Sequence, residues 1–228
     1  MWGSTRVKIC GNTRVEDAIM AARAGADAIG VINVVNTKRY IDLEDTKLIF
    51  DALPIFVSKV VVVSLDMMST GAAYNVITSI LATGADCIQL HGEEPVEFVT
   101  ELHHRMNSRM RLIKKVGVGE AKRASLEKAL AYETVVDAIL LDTVSVGSEE
   151  AGGTGKEHDW SISKEIVERV KKPVILAGGL SPDNVAKAIA QVKPFAVDVS
   201  SGVESEVRRK DKKKVKRFVE EAKSAKRS

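Results

Sequence analysis

The stretch Arg6-Val7-Lys8-Ile9-Cys10-Gly11 begins the first strand–helix unit of the chain. Its apolar residues predict a short β-strand that ends in a thiol, with a glycine directly after it. An amphipathic segment over residues 13–24 follows, and the turn Gly25-Ala26-Asp27 leads into a second apolar run. This order predicts a βα unit with Cys10 at the carboxyl end of its strand.

The same alternation of strand and helix recurs along the whole sequence. Strands are predicted over residues 6–10, 28–33, 59–65, 87–91, 111–118, 138–142, 174–177 and 195–199. Helices are predicted over 13–24, 43–53, 70–82, 122–132, 161–170 and 210–225, with two more that begin at Glu93-Glu94-Pro95 and Ser181-Pro182-Asp183. Eight βα units of about 25–30 residues predict an α/β protein with a (β/α)8 TIM barrel. An open doubly wound sheet is the alternative; it fits less well because no glycine-rich dinucleotide motif follows the first strand.

The composition predicts one domain over residues 1–228, because folds of this class often build a single core from roughly 200–250 residues. Hydrophobic residues make up 45% of the chain, far above what disordered chains contain. A net charge of +3 is too small to indicate a nucleic-acid partner by itself. Two cysteines, without metal-ligand spacing to the histidines, exclude a disulfide scaffold. We therefore expect a cytoplasmic protein without metal, membrane or nucleic acid, as a monomer or a homodimer.

Residues suited to acid–base chemistry lie at the carboxyl ends of the predicted strands, where barrels of this class place their active sites. Cys10 ends the first strand and Asp142 ends the sixth. Strand alternation puts Lys8 on the same face as Cys10, and Asp198 on the same face as Ser200. If these faces point inward, a thiol and two carboxyl groups meet at the barrel mouth.

Two loops have the composition of a phosphate site. Gly178 and Gly179 follow the seventh strand, and Ser200-Ser201-Gly202 follows the eighth. Glycines let backbone N–H groups approach phosphate oxygens, and hydroxyl groups donate further hydrogen bonds. These are the two loops in which such barrels usually bind phosphate, so together they predict a phosphorylated small-molecule ligand.

Structural roles for the same residues stay open at this point. A cysteine at a strand end is more often a small buried hydrophobic residue than a catalyst. Asp142 could cap the loop that follows it, and Asp198 could be a buried ion-pair partner for Lys8. His91 ends the fourth strand and could be either a hydrogen-bonded rim residue or a ligand contact.

The run of residues 208–217 is the strongest charge cluster in the chain, with eight Lys or Arg residues. A basic arm for nucleic acid is one interpretation. However, apolar residues recur within and after the run at helical spacing, at Val215, Phe218, Val219 and Ala222. We therefore favour a solvated outer face on the last helix.

Seven motifs, in order along nearly the whole chain, resemble those of the phosphoribosylanthranilate isomerase family. They are Val7-Lys8-Ile9-Cys10-Gly11-Asn12-Thr13, Ala24-Gly25-Ala26-Asp27-Ala28, Gln89-Leu90-His91-Gly92, Leu141-Asp142-Thr143, Gly152-Gly153-Thr154-Gly155-Lys156 with Asp159-Trp160, Pro173-Val174-Ile175-Leu176-Ala177-Gly178-Gly179-Leu180 and Val197-Asp198-Val199-Ser200-Ser201-Gly202-Val203-Glu204.

The resemblance implies a cofactor-free barrel enzyme of tryptophan biosynthesis. Its reaction is the Amadori rearrangement of N-(5-phosphoribosyl)anthranilate to 1-(2-carboxyphenylamino)-1-deoxyribulose 5-phosphate. An acid protonates the ribose ring oxygen, and a base then takes the proton from the adjacent sugar carbon. The resemblance implies that Asp142 is the acid and Cys10 the base. Free carboxyl and thiol groups have pKa values of about 4 and about 8.5, so each role requires a shifted pKa.

The resemblance also implies how substrate is bound. Arg39 matches the arginine that pairs with the anthranilate carboxylate, and a planar guanidinium suits that anion better than an ammonium group. Asp198 matches an aspartate near the linking amine of the substrate, with His91 close by. The phosphate is expected at Gly178, Gly179, Ser200, Ser201 and Gly202, with Gly153 of the preceding loop beside them.

Two other functions are weighed against this one. An indole-3-glycerol-phosphate synthase would have a lysine acid and glutamates at the strand ends, where this chain has Cys10 and Asp142. A barrel that has become a binding module would use the basic last helix as its contact surface, with salt-dependent binding of nucleic acid.

Overall fold

Eight parallel strands close into a barrel in sequence order in the computed structural model, which describes residues 4–106, 110–119, 122–143 and 159–226. The strands are β1 Arg6–Ile9, β2 Ala28–Ile32, β3 Ser58–Val63, β4 Cys87–Leu90, β5 Arg111–Val118, β6 Ala138–Thr143, β7 Val174–Leu176 and β8 Ala196–Val199. The (β/α)8 prediction is confirmed. That residues 1–228 form one domain stays a prediction.

A helix follows each strand and covers the outside of the barrel. The helices are α1 Val15–Arg23, α2 Leu43–Asp51, α3 Thr70–Leu81, α4 Val96–Met106, α5 Lys122–Tyr132, α6 Trp160–Arg169, α7 Val185–Val192 and α8 Lys212–Ser224. Several begin at polar caps: Asp42 accepts a hydrogen bond from the Asp45 N–H group, and Asp211 accepts from two N–H groups of α8. The apolar face predicted for the last helix is buried, as expected of an amphipathic helix.

The barrel closes between β8 and β1, and this register positions the site. Lys8 lies beside Asp198, and Ile9 lies beside Val199. Because side chains alternate along a strand, Lys8 and Asp198 both point to the barrel interior, while Ile9 and Val199 belong to the core outside it.

The apolar core has two parts, separated by the layer of strands. The larger part lies between the strands and the helices and includes Ile29, Phe50 and Leu112. The smaller part fills the barrel interior with Val60, Ile113, Leu140, Ile175, Ala177 and Ala196. Barrels of this class have a packed interior rather than a pore, so the polar residues above this layer form the base of the open mouth.

The chain after β8 differs from the prediction. A short 3-10 helix, Ser201–Val203, leads into a hairpin of β9, Glu204–Glu206, and β10, Arg209–Lys210. The predicted start of the last helix at residue 210 is wrong, because Lys210 pairs with Glu204 in the hairpin. Strands of three and two residues are too short to show a period in the sequence.

The predicted cap of the seventh helix is also wrong. Ser181, Pro182 and Asp183 form a turn, and α7 begins at Val185. The side chain of Asn184 accepts a hydrogen bond from the Ser181 N–H group and donates one to the Gly179 carbonyl, which stabilises this turn. The segment therefore shapes the loop after β7 instead of starting a helix.

Across the described ranges, no helix is both long and apolar enough to cross a membrane. The cytoplasmic location stays a prediction.

A fully buried ion pair joins the strand layer to the loops at the barrel mouth. The Nζ atom of Lys114 lies 2.7 Å from Oε2 of Glu94 and 2.6 Å from the Gly92 carbonyl oxygen, and neither charged side chain is exposed. Glu94 also accepts a hydrogen bond from the Leu65 N–H group, and its carbonyl accepts one from the Tyr132 hydroxyl. The pair thus connects the loops after β3 and β4.

Breaking this pair should destabilise the fold more than replacing it. We expect Lys114→Met to lower the free energy of unfolding by about 3–5 kcal/mol, because it leaves the Glu94 carboxylate buried without its cation. Adding Glu94→Leu should restore part of that loss, whereas additive losses in urea unfolding would contradict the account. Glu97→Leu, which changes an exposed glutamate at the start of α4, is the matched control.

Candidate active site

A cavity of about 450 Å³ opens at the carboxyl ends of the strands. Six of the residues predicted for the site line it: Cys10, Arg39, His91, Asp142, Asp198 and Ser200. They lie at or just beyond the carboxyl ends of β1, β4, β6 and β8 and in the loop after β2. The fold therefore brings the predicted acid–base pair and the predicted substrate contacts to one mouth.

Cys10 lies directly beyond β1, next to a buried ion pair. The Nζ atom of Lys8 is 3.0 Å from Oδ1 of Asp198, and their side chains are only 4% and 10% exposed. Gly30 on β2 makes room for this group: an added Cβ would lie 2.8 Å from the Cys10 sulfur and 3.1 Å from the Lys8 nitrogen. The thiol of Cys10 and the ammonium group of Lys8 therefore both lie against Gly30. The ion-pair role considered for Asp198 is confirmed.

Opposing effects act on the ionisation of the thiol. Burial raises the pKa of Cys10, the ammonium group of Lys8 lowers it, and the carboxylate of Asp198 raises it again, with a net rise. Burial alone would lower the pKa of Lys8, but the facing Asp198 and Cys10 raise it. Lys8 is therefore a permanent cation beside the thiol, and it is the largest influence that favours a thiolate.

Asp142 is a carboxyl group at the mouth whose acid form is stabilised. Burial is the main cause that raises its pKa to about 6; the Asp198 charge adds to the rise, and the N–H group of Thr143 opposes it. A carboxyl group in this range can donate a proton near neutral pH.

His91 faces Asp142, with Nε2 4.0 Å from Oδ2, too far for a hydrogen bond. Burial and the nearby Lys115, Lys8 and Lys114 lower the pKa of His91 to about 3. Its ring is therefore neutral at physiological pH. The Nδ1 atom has no hydrogen-bond partner within the described parts of the chain, so this side chain has a donor or acceptor to offer at the mouth.

The two glycine-rich loops predicted to bind phosphate lie against each other. A Cβ atom on Gly202 would lie 2.0 Å from the carbonyl oxygen of Leu180, so only glycine permits this contact. Gly178 and Gly179 both have positive φ, at 82° and 65°, a conformation that favours glycine.

Ser201 begins the 3-10 helix beside these glycines. The hydroxyl of the neighbouring Ser200 is buried without a partner among the described residues. Gly153 lies outside the described residues.

Arg39 points to the cavity but is also held in an ion pair that the sequence did not indicate. Its Nε and Nη2 atoms lie 2.8 and 2.6 Å from the two carboxylate oxygens of Glu204. Glu204 in turn contacts the buried Lys210. Glu204 ends the eighth-strand motif, which is the only sequence signal that could have pointed to it.

Two further cavity residues were missed. Gln89 is 2% exposed, and its Oε1 atom has no partner in the described ranges. Lys115 lines the cavity, and its Nζ atom lies 3.2 Å from Oε1 of Glu93. Gln89 precedes His91 by two residues, so strand alternation could have placed it on the same inward face.

No cluster of His, Cys, Asp and Glu within the described ranges could hold a metal ion. The side chains at the mouth offer proton transfer and hydrogen bonding as their chemistry.

A closed barrel with a thiol, a carboxyl group and paired glycine-rich loops at one mouth defines a (β/α)8 enzyme of the acid–base type. Residues 7–221 match the family model described as N-(5'phosphoribosyl)anthranilate (PRA) isomerase, and the chain belongs to this family.

Relatives agree in sequence and in structure. The N-(5'-phosphoribosyl)anthranilate isomerase of Methanocella arvoryzae is 45% identical over 223 residues, covering 97% of this chain and all of the relative. A crystal structure of phosphoribosyl anthranilate isomerase in complex with reduced 1-(o-carboxyphenylamino)-1-deoxyribulose 5-phosphate has a TM-score of 0.79 and 38% identity, covering 96% of this chain and 98% of that one. A structure of monomers generated from the dimeric Thermotoga maritima enzyme has the same TM-score and coverage, with 37% identity.

The raised pKa of Asp142 should make this residue a cost to stability. The folded chain binds the carboxyl proton more tightly than the unfolded chain does. The stability that this proton contributes is therefore complete below about pH 4 and is lost as pH rises through about 6, where the buried carboxylate becomes ionised. We expect Asp142→Asn to increase the free energy of unfolding by on the order of 2–3 kcal/mol at pH 8 and by much less at pH 4.

Urea unfolding at several pH values measures this gain. The exposed Asp183→Asn variant is the control, with an expected change within about 0.5 kcal/mol at every pH. A gain for Asp142→Asn that does not depend on pH would contradict the buried-acid interpretation.

Proposed function

We propose that Asp142 and Cys10 are the acid and base of the phosphoribosylanthranilate isomerase reaction. The observation that carries this proposal is their different surroundings at one mouth, a buried carboxyl group with its pKa raised to about 6 and a buried thiol beside the Lys8 ammonium. Burial raises both pKa values, and the Lys8 ammonium group acts against this rise at the thiol, where the reaction needs a base.

In the first step, protonated Asp142 gives its proton to the ribose ring oxygen. The bond from that oxygen to the anomeric carbon breaks, and the nitrogen lone pair forms the C=N bond of a protonated Schiff base. With a pKa of about 6, roughly one Asp142 in ten carries a proton at pH 7, compared with about one in a thousand for an ordinary aspartate. Burial therefore supplies acid where an exposed carboxyl group would not.

In the second step, the Cys10 thiolate takes the proton from the sugar carbon next to the Schiff base. The electron pair of that C–H bond forms a C=C bond to the former anomeric carbon, and the π electrons of the C=N bond return to nitrogen, which gives an enolamine. The enolamine becomes the aminoketone product when its hydroxyl group loses a proton and the former anomeric carbon gains one. The Lys8 ammonium favours the thiolate against the effect of burial. Cys10 takes up a proton and forms no bond to carbon in this scheme.

Substrate binding is proposed to follow the cavity from the loop after β2 to Ser200 after β8, and to continue from there to the glycine-rich loops. Arg39 would pair with the anthranilate carboxylate, and Asp198 and His91 would face the linking amine. The phosphate is proposed to bind at Gly178, Gly179, Ser200, Ser201 and Gly202, with Gly153 added from the loop after β6. The unpaired Ser200 hydroxyl supports this assignment.

We also propose that the chain forms a homodimer through its amino-terminal face, as one relative is described as dimeric. Ile55 and Phe56 lie between α2 and β3, at the barrel end opposite the cavity, and are 88% and 92% exposed. Large apolar side chains exposed side by side are typical of contact surfaces.

Removing either acid–base group should abolish turnover more than binding. We expect Cys10→Ala and Asp142→Ala each to lower kcat by roughly 10²–10⁴-fold, with substrate affinity changed by only a modest factor. Loss of the fluorescence of freshly generated phosphoribosylanthranilate measures the rate. Cys87→Ala is the matched control, because Cys87 packs against the interior core away from the cavity; full activity in either test variant would exclude the assigned role.

Replacing Phe56 should change the oligomeric state. We expect Phe56→Lys to sediment as a monomer at concentrations where the unmodified chain sediments as a dimer, because a charge would be buried in the contact. Val207→Lys, at another exposed apolar residue, should leave the dimer intact. A monomeric unmodified chain, or dimeric Phe56→Lys, would contradict this proposal.

A further inference from the structure

We propose that the hairpin of β9 and β10 is a positioning device for Arg39, in which Glu204 orients the guanidinium group and Arg208 fixes the backbone on both sides of it. The proposal rests on the proposed function of Arg39 as the partner of the anthranilate carboxylate. It makes Glu204 and Arg208 determinants of specificity for that carboxylate, although neither is assigned a contact with substrate.

Glu204 holds the guanidinium group by its geometry. Nε and Nη2 of Arg39 each donate to a separate oxygen of the Glu204 carboxylate, at 2.8 and 2.6 Å. The two side chains are only 12% and 5% exposed. A two-point contact of a planar guanidinium with a carboxylate fixes the plane of the group as well as its position.

Lys210 keeps the charge balance of this group positive. Its Nζ atom lies 3.0 Å from Oε1 of Glu204 and 3.1 Å from the Ser200 carbonyl oxygen, and its side chain is 1% exposed. Burial alone would raise the pKa of Glu204, but Arg39 and Lys210 hold it below its usual value, so the carboxylate is ionised. Two cations and one anion leave one net positive charge, which favours a further anion at Arg39.

The backbone around Arg39 is fixed by the turn of the same hairpin. Nη1 of Arg208 donates to the carbonyl oxygens of Tyr40, at 3.0 Å, and of Lys38, at 3.4 Å, the residues on either side of Arg39. The Thr13 hydroxyl donates to the Arg208 carbonyl. Arg208 has a φ of 73°, which is uncommon for a residue other than glycine.

Part of the basic run of residues 208–217 has a structural role in this arrangement. Arg208 contacts the loop after β2, Lys210 contacts the Glu204 side chain, and Lys214 donates to the Glu204 carbonyl at 2.7 Å. Three of the basic residues therefore hold the site together. A nucleic-acid arm would instead have them extended into solvent.

An arginine that is already oriented loses less conformational freedom when a ligand binds. Weakening the hairpin contacts should therefore reduce affinity for ligands that carry the ring carboxylate and leave other ligands nearly unaffected. A general loss of structure would reduce affinity for both kinds of ligand.

The test uses two ligands in titration calorimetry: reduced 1-(o-carboxyphenylamino)-1-deoxyribulose 5-phosphate and the same compound without the ring carboxylate. We expect Glu204→Gln to weaken the first about tenfold and Arg208→Asn about three- to fivefold, with less than twofold change for the second. Asparagine tolerates the positive φ of residue 208, so that change removes the guanidinium without straining the turn.

Arg209→Asn is the matched control, because Arg209 is in the same hairpin but pairs with the exposed Glu206; it should bind both ligands normally. Arg39→Met separates the two possible failures. If it leaves the preference for the carboxylate unchanged, the role proposed for Arg39 is wrong and the hairpin proposal is overturned with it. If Arg39→Met abolishes the preference while Glu204→Gln and Arg208→Asn keep it, or weaken both ligands equally, the hairpin proposal alone is overturned.

Discussion

The buried ion pair of Lys8 and Asp198 is the contact on which the site depends. It joins the first and last strands where the barrel closes, and either charge alone in this interior would be strongly unfavourable. Cys10 follows Lys8 by two residues and Ser200 follows Asp198 by two, so one register places the thiol and a hydroxyl of the predicted phosphate loop at the same mouth. The register of β1 and β8 thus both closes the barrel and sets the positions of these site residues.

Elements and strand faces that follow from short-range periodicity could be predicted from the sequence. Strand β5 and helix α5 have the predicted bounds, and the inward faces of β1 and β8 follow from alternation with a period of two. The contact of Arg39 with Glu204 could not be found in this way, because 165 residues separate the partners and only the closed barrel brings them together. Likewise, Ser181 resembles a helix cap, and the sequence pattern does not show that the Asn184 side chain accepts a hydrogen bond from the Ser181 N–H group and stabilises a turn there.

The mouth of the barrel contains several largely buried polar groups. Asp142, His91 and Gln89 are among them, and His91 and Gln89 each retain a buried atom without a partner among the described residues. The buried Lys114, by contrast, is paired with Glu94. Unpaired polar groups next to a well-packed core are typical of sites where a ligand completes the hydrogen bonding.

The acid role proposed for Asp142 requires that burial lets this carboxyl group hold a proton near neutral pH. A carbon-13 NMR titration of the aspartate carboxyl groups measures this directly, with the Asp142→Asn spectrum to assign the signal. We expect one carboxyl signal that titrates near pH 6 and is missing from the spectrum of Asp142→Asn. An Asp142 signal that titrates near pH 4 would contradict it, because the acid would then be almost fully ionised at the pH at which it must donate.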